Sequence, residues 1–62
     1  MYTVEFFGPT FGVVDRADAG VDRAMAIVTA NRTLAMRGDL KAIAGVRVID
    51  QNGVAVFTKY VT

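Results

Sequence analysis

A small α+β fold is predicted by three features of this 62-residue chain. One long helix packs on a three- or four-stranded, mainly antiparallel sheet, in the order β-(β)-α-β-β, as a single domain over residues 1–62. The first feature is the C-terminal stretch VRVIDQNGVAVFTKYVT, residues 46–62, which reads as two strands hinged at Asp50-Gln51-Asn52-Gly53. Its β-branched and aromatic residues suit a pleated, half-buried surface, and Asn-Gly tolerates the positive φ of tight turns. The second is the alternation of YTVEFF at residues 2–7. The third is a stripe of apolar residues at helical spacing between residues 19 and 37. An isolated hairpin is marginal in water, so the strand and the helix must cover it.

Taken in order, Tyr2, Val4 and Phe6 fall on one face of the first strand, and Thr3, Glu5 and Phe7 on the other. Gly8-Pro9-Thr10 ends it, because proline cannot donate to a ladder and glycine frees the backbone. Phe11 to Asp15 is expected to be a short second strand, with an extended connection under the helix as the alternative.

Asp18 is the expected N-cap, with Asp22 in the first turn where the helix dipole favours an anion. The apolar stripe runs through Val21, Ala24, Met25, Ile27, Val28, Leu34 and Ala35, with Arg23, Thr29, Thr33 and Arg37 on the other side. Asn31 interrupts it and is expected at the margin, bonded to water or a nearby carbonyl rather than to a ligand. Gly38 suits the C′ position. Asp39, Leu40 and Ile43 suit a capped helical turn leading back to the sheet. The sequence carries no internal repeat, linker or low-complexity tract.

In the C-terminal hairpin, Asp at the first turn position and Gly at the last suit a type I turn with a bulge, leaving three loop residues at 51–53. Val46, Val48, Val54, Val56, Thr58 and Tyr60 then share one face, and Arg47, Ile49, Ala55, Phe57, Lys59 and Val61 the other. A two-residue Asn-Gly turn would shift the pairing by one and mix these sets. With the valine face under the helix, the open face carries Thr3, Glu5, Phe7, Arg47, Ile49, Phe57, Lys59 and Val61. Charges alternating with large apolar groups are what a partner-facing surface presents, and Phe7, Arg47, Ile49, Phe57, Lys59 and Val61 are the candidate partner-binding residues. The competing reading is that the segment from Gly8 to Asp15 folds across Phe7 and Phe57 and covers them.

Composition bounds the function. Net charge is +1, which leaves no electrostatic footprint for nucleic acid or an anionic membrane. The N-terminus lacks the basic region of a signal peptide, and cytosol is the expected compartment. There is no histidine and no cysteine, hence no His-based triad, no disulfide and no common zinc site. Asp15, Asp18 and Asp22 form a local carboxylate cluster without the ligand alternation of a calcium loop, and Asp50-Gln51-Asn52-Gly53 lacks the distal glutamate of one. The glycines form no dinucleotide-binding fingerprint. No catalytic residue, cofactor or metal is assigned, and the chain is not expected to be an enzyme.

With glycine counted and tyrosine left out, about 60% of the chain is apolar, above the usual 45–50%. A domain this small buries only about 60% of its unfolded surface and often needs an additional staple. Without disulfides, self-association is the available device. The expected function is therefore a non-enzymatic protein–protein interaction module, homodimeric, acting as an inhibitor or modulator of a larger partner in the manner of phage or bacterial accessory factors. The alternative is a single-stranded nucleic-acid binder that stacks bases on the open sheet face, which the near-neutral charge argues against.

Overall fold

The computed structural model describes residues 1–37 and 43–61, and its elements are β1 (Thr3–Phe7), β2 (Val13–Asp18), α1 (Arg23–Arg37), β3 (Gly45–Ile49) and β4 (Ala55–Tyr60). The strands form one antiparallel sheet in the order β2-β1-β3-β4. The helix lies across the two central strands, β3 most and β1 next. The α+β architecture is as the sequence predicts. The helix, at 15 residues, is shorter than the expected span from 19 to 37. The expected C-cap at Gly38 and the turn at Asp39 and Leu40 lie outside the described residues.

The helix starts late because Asp18 is still a strand residue, paired with Thr3. Gly20, at φ +79°, then turns the chain. Asp22 caps instead of Asp18: its Oδ1 accepts from the amides of Ala24 and Met25 at 2.9 and 3.4 Å.

The buried side of the helix keeps Ile27 and Leu34 of the expected stripe but otherwise differs from it. Ala26, Ala30 and Leu34, each four residues apart, are buried against Val4, Phe6, Val46 and Val48, with Ile43 closing the cluster and Ile27 packed on its edge. Val21, Met25 and Val28 are exposed, at 81%, 56% and 44%. The physical reason is volume. Sheet residues beneath the helix include a phenylalanine and three valines, and two alanines one turn apart let the helix backbone come down onto them. Larger residues on that side would hold it off. Asn31 sits at the margin as expected, donating from Nδ2 to the Ile27 carbonyl at 3.0 Å.

Both hairpins are built the same way. In the second, the Gly53 amide donates to the Asp50 carbonyl at 3.0 Å, the Asp50 amide donates to the Val54 carbonyl at 2.9 Å, and Gly53 has φ +80°. This is the predicted type I turn with a left-handed third residue. Asp50 Oδ1 adds bonds from the amides of Asn52 and Val54, each at 2.9 Å. In the first, the Phe11 amide donates to Gly8 at 2.8 Å, the Gly8 amide donates to Gly12 at 3.0 Å, and Phe11 has φ +66°. Each hairpin then carries a bulge: Val14 is skipped between the pairs Phe7↔Val13 and Phe6↔Asp15, and Val56 between Ile49↔Ala55 and Val48↔Phe57. Adding 42 to a residue number in the first hairpin gives its counterpart in the second, from Gly8 and Asp50 to Val14 and Val56. Because β1 pairs with β3 through Glu5↔Arg47, flanked by Thr3↔Ile49 and Phe7↔Gly45, a pseudo-two-fold axis normal to the sheet passes through that pair. The repeat is one of backbone only. Between the two hairpins just Val4 with Val46 and Val14 with Val56 keep their residue type.

The bulge at Val56 corrects the expected faces of β4. The turn is the predicted one, but after the bulge Phe57 pairs with Val48 and Lys59 with Val46, on the helix side of the sheet. Thr58 and Tyr60 pair with Arg47 and Gly45 on the open side. The bulge lets two adjacent residues, Val56 and Phe57, both pack against the core, where strict alternation would admit only one.

Candidate functional site: the open face of the sheet

The side of the sheet opposite α1 is organised around Glu5, at the centre of β1. Its neighbours in the register are Arg16 on β2 and Arg47 on β3. Arg47 Nε donates to Oε1 at 2.9 Å and Arg16 Nη2 lies 3.3 Å from Oε2, so one carboxylate takes both guanidinium groups. The Glu5–Arg47 pair is thus made within one chain.

One step along the strands lies an aromatic group. Phe7 faces Gly45 on β3, whose own partner on β4 is Tyr60. A Cβ at Gly45 would stand 2.5 Å from Phe7 Cζ and 2.6 Å from the Lys59 carbonyl oxygen, so only glycine fits beneath the ring. Phe11 packs on Phe7 with centroids 5.6 Å apart, and Tyr60 meets Phe7 edge-on at 5.5 Å. Phe11 and Tyr60 meet each other at 6.4 Å and 88°. The Arg47 guanidinium carbon stands 5.5 Å from the Phe7 ring centre. Phe7 is thereby only 1% exposed, while Phe11 and Tyr60 are 57% and 54% exposed.

The six residues singled out from the sequence do not share one face. Phe7, Arg47 and Ile49 are on the open side. Phe57 and Lys59 are on the helix side, and Val61 follows their alternation, bonded through its amide to the Ala44 carbonyl at 2.8 Å. Covering of Phe7 by the segment after β1 is found, through Phe11, but Phe57 is covered on the other side of the sheet. The aromatic residues that the sequence reading placed elsewhere are Phe11 and Tyr60. The sequence puts Tyr60 on the valine face, because strict alternation after the turn leaves nothing to mark Val56 as the skipped residue. Phe11 stands beside Gly12, and the composition of that turn points to the glycine, not the phenylalanine, as the residue with positive φ.

Among the described residues other chemistry finds no constellation. Asp22 is engaged in capping, Asp18 pairs with Thr3 on the open face, and Asp15 pairs with Phe6 on the other. Among the described residues no three His, Cys, Asp or Glu side chains lie close enough to hold a metal ion. The first-turn amides of the helix already have the Asp22 carboxylate as their anion. A hollow of about 220 Å³ lined by Met1, Tyr2, Val21, Asp50, Gln51 and Asn52 is below the size of typical ligand pockets, roughly 300–1,000 Å³. No described helix is long and apolar enough to cross a membrane.

Fold and surface together define a small α+β protein with one helix-covered and one open sheet face. No known family model, no curated protein and no solved structure matches the chain.

Proposed function

We propose that the chain is a non-enzymatic protein–protein interaction module that engages its partner through the open sheet face, as a homodimer and as an inhibitor or modulator of that partner. The observation that carries this reading is the pair Phe11 and Tyr60. Two aromatic side chains, each more than half exposed, stand on a buried third ring and are bordered by Arg47, Glu5 and Arg16. Exposed aromatics over a rigid base, rimmed by charged groups, are the composition of interface anchors. Phe11 holds its place in a backbone region that costs a bulky residue about 1–3 kcal/mol, and residues under such strain cluster at functional sites.

The same two rings would suit stacking of unpaired bases. Glu5 weighs against that reading, because its one carboxylate engages both arginines and offsets one of their two charges. Capture from host lysate on immobilised wild-type protein, compared with a Phe11→Ser/Tyr60→Ser double variant, tests the proposal. A protein retained by the wild type and lost from the double variant supports it. A salt-sensitive shift of mixed single-stranded oligonucleotides by the wild type, abolished in the double variant, would replace it with the nucleic-acid reading.

A further inference from the structure

We infer that two copies of the chain pair edge to edge through β2, in the register that sets Arg16 opposite Asp18 of the second copy. This rests on the homodimer proposed above and specifies its contact. Of the sheet's two outer strands, β4 is half-buried at Val56 and Phe57, whereas every residue of β2 is exposed. β2 contributes hydrogen bonds to the fold but no buried side chain, and its Val13 and Val14 remain nearly half exposed.

The backbone settles which residues can pair. Ala19 donates its amide to the Tyr2 carbonyl at 2.9 Å, so in alternation Ala17 and Asp15 also turn their backbone groups toward β1. Arg16 and Asp18 turn theirs outward. The Arg16 amide shows this directly: it is met at 2.8 Å by the Asp15 carboxylate, a bond that pairing would exchange for one to the second copy. A two-fold axis normal to the sheet keeps both helices on one side and sets outward residue against outward residue. Pairing Arg16 with Arg16, or Asp18 with Asp18, juxtaposes like charges. Pairing Arg16 with Asp18 sets opposite charges across the contact twice, on the open face where both side chains lie. It also centres the axis on Ala17, the small residue best suited to the close, non-hydrogen-bonded position. The result is one continuous sheet whose open faces, with Phe11 and Tyr60 of each copy, lie on the same side.

The native chain has no cysteine, so introduced thiols report the contact without background. Light scattering over a hundredfold concentration range gives the mass, and air oxidation of Ala17→Cys, against Val28→Cys on the exposed helix face, gives the surface. The inference expects a dimer, with Ala17→Cys cross-linking about tenfold faster or more than Val28→Cys. Arg16→Asp should raise the dimer dissociation constant about tenfold, and adding Asp18→Arg to it should recover most of the loss. A dimer without the Ala17 cross-link overturns the edge contact and leaves the homodimer standing. A monomer mass throughout overturns both.

Discussion

Phe11 occupies in the first hairpin the backbone position that Gly53 occupies in the second. Both are the third loop residue of a type I turn, both donate their amide three residues back, and both have positive φ, at +66° and +80°. Glycine takes this conformation without penalty and phenylalanine does not. The glycine at position 12, one residue further on, does not relieve it. The ring is thereby placed over Phe7 and beside Tyr60.

This difference separates stability from function. Gly53→Val should cost about 1–2 kcal/mol, since a β-branched residue resists positive φ. Phe11→Gly should melt within about 1 kcal/mol of wild type, because relief of the backbone offsets the loss of a half-exposed ring. Chemical denaturation of both variants checks the pair. Equal destabilisation by the two would show that Phe11 is held for packing.

The seat of Phe7 over Gly45 gives a second expectation. Gly45→Ala brings a methyl group into the ring and into the Lys59 carbonyl, and should destabilise by about 1–3 kcal/mol. Phe7→Leu in the same background should restore part of that, since only the ring contact is relieved. Thermal melts of the single and double variants measure it. A Gly45→Ala variant as stable as wild type would place the ring elsewhere.

The helix offers a sharper contrast. Ala30→Asp should unfold the domain, because a buried unpaired charge costs more than the few kcal/mol a domain this small holds. Val28→Asp, on the exposed side, should fold and melt close to wild type. Circular dichroism decides, and tolerance of both would mean the helix rests on the sheet by another side.

How much of this was legible follows from local chemistry. Asp50 and Gly53 specify their turn through short-range bonds, so residues 50–53 could be read directly. The alternation in residues 2–7 likewise placed Val4 and Phe6 in the core. The helix face was legible only at Ile27 and Leu34, because apolarity alone favours Val28 and Met25 over alanine, whereas close approach to Phe6, Val46 and Val48 favours Ala26 and Ala30. The candidate site was half legible for a similar reason. Val54-Ala55-Val56-Phe57 is apolar at every step, so nothing in it marks Val56 as the skipped residue, and that one insertion exchanges Tyr60 for Phe57 on the open face.

That exchange is the claim on which the open face depends, and the nuclear Overhauser contacts of the aromatic rings test it most directly. The Tyr60 ring should show contacts to the rings of Phe7 and Phe11, and the Phe57 ring to the side chain of Val48. Contacts from Phe57 to Phe7 or Arg47, with Tyr60 instead against Val46, would contradict the account and return the site to an unbulged register.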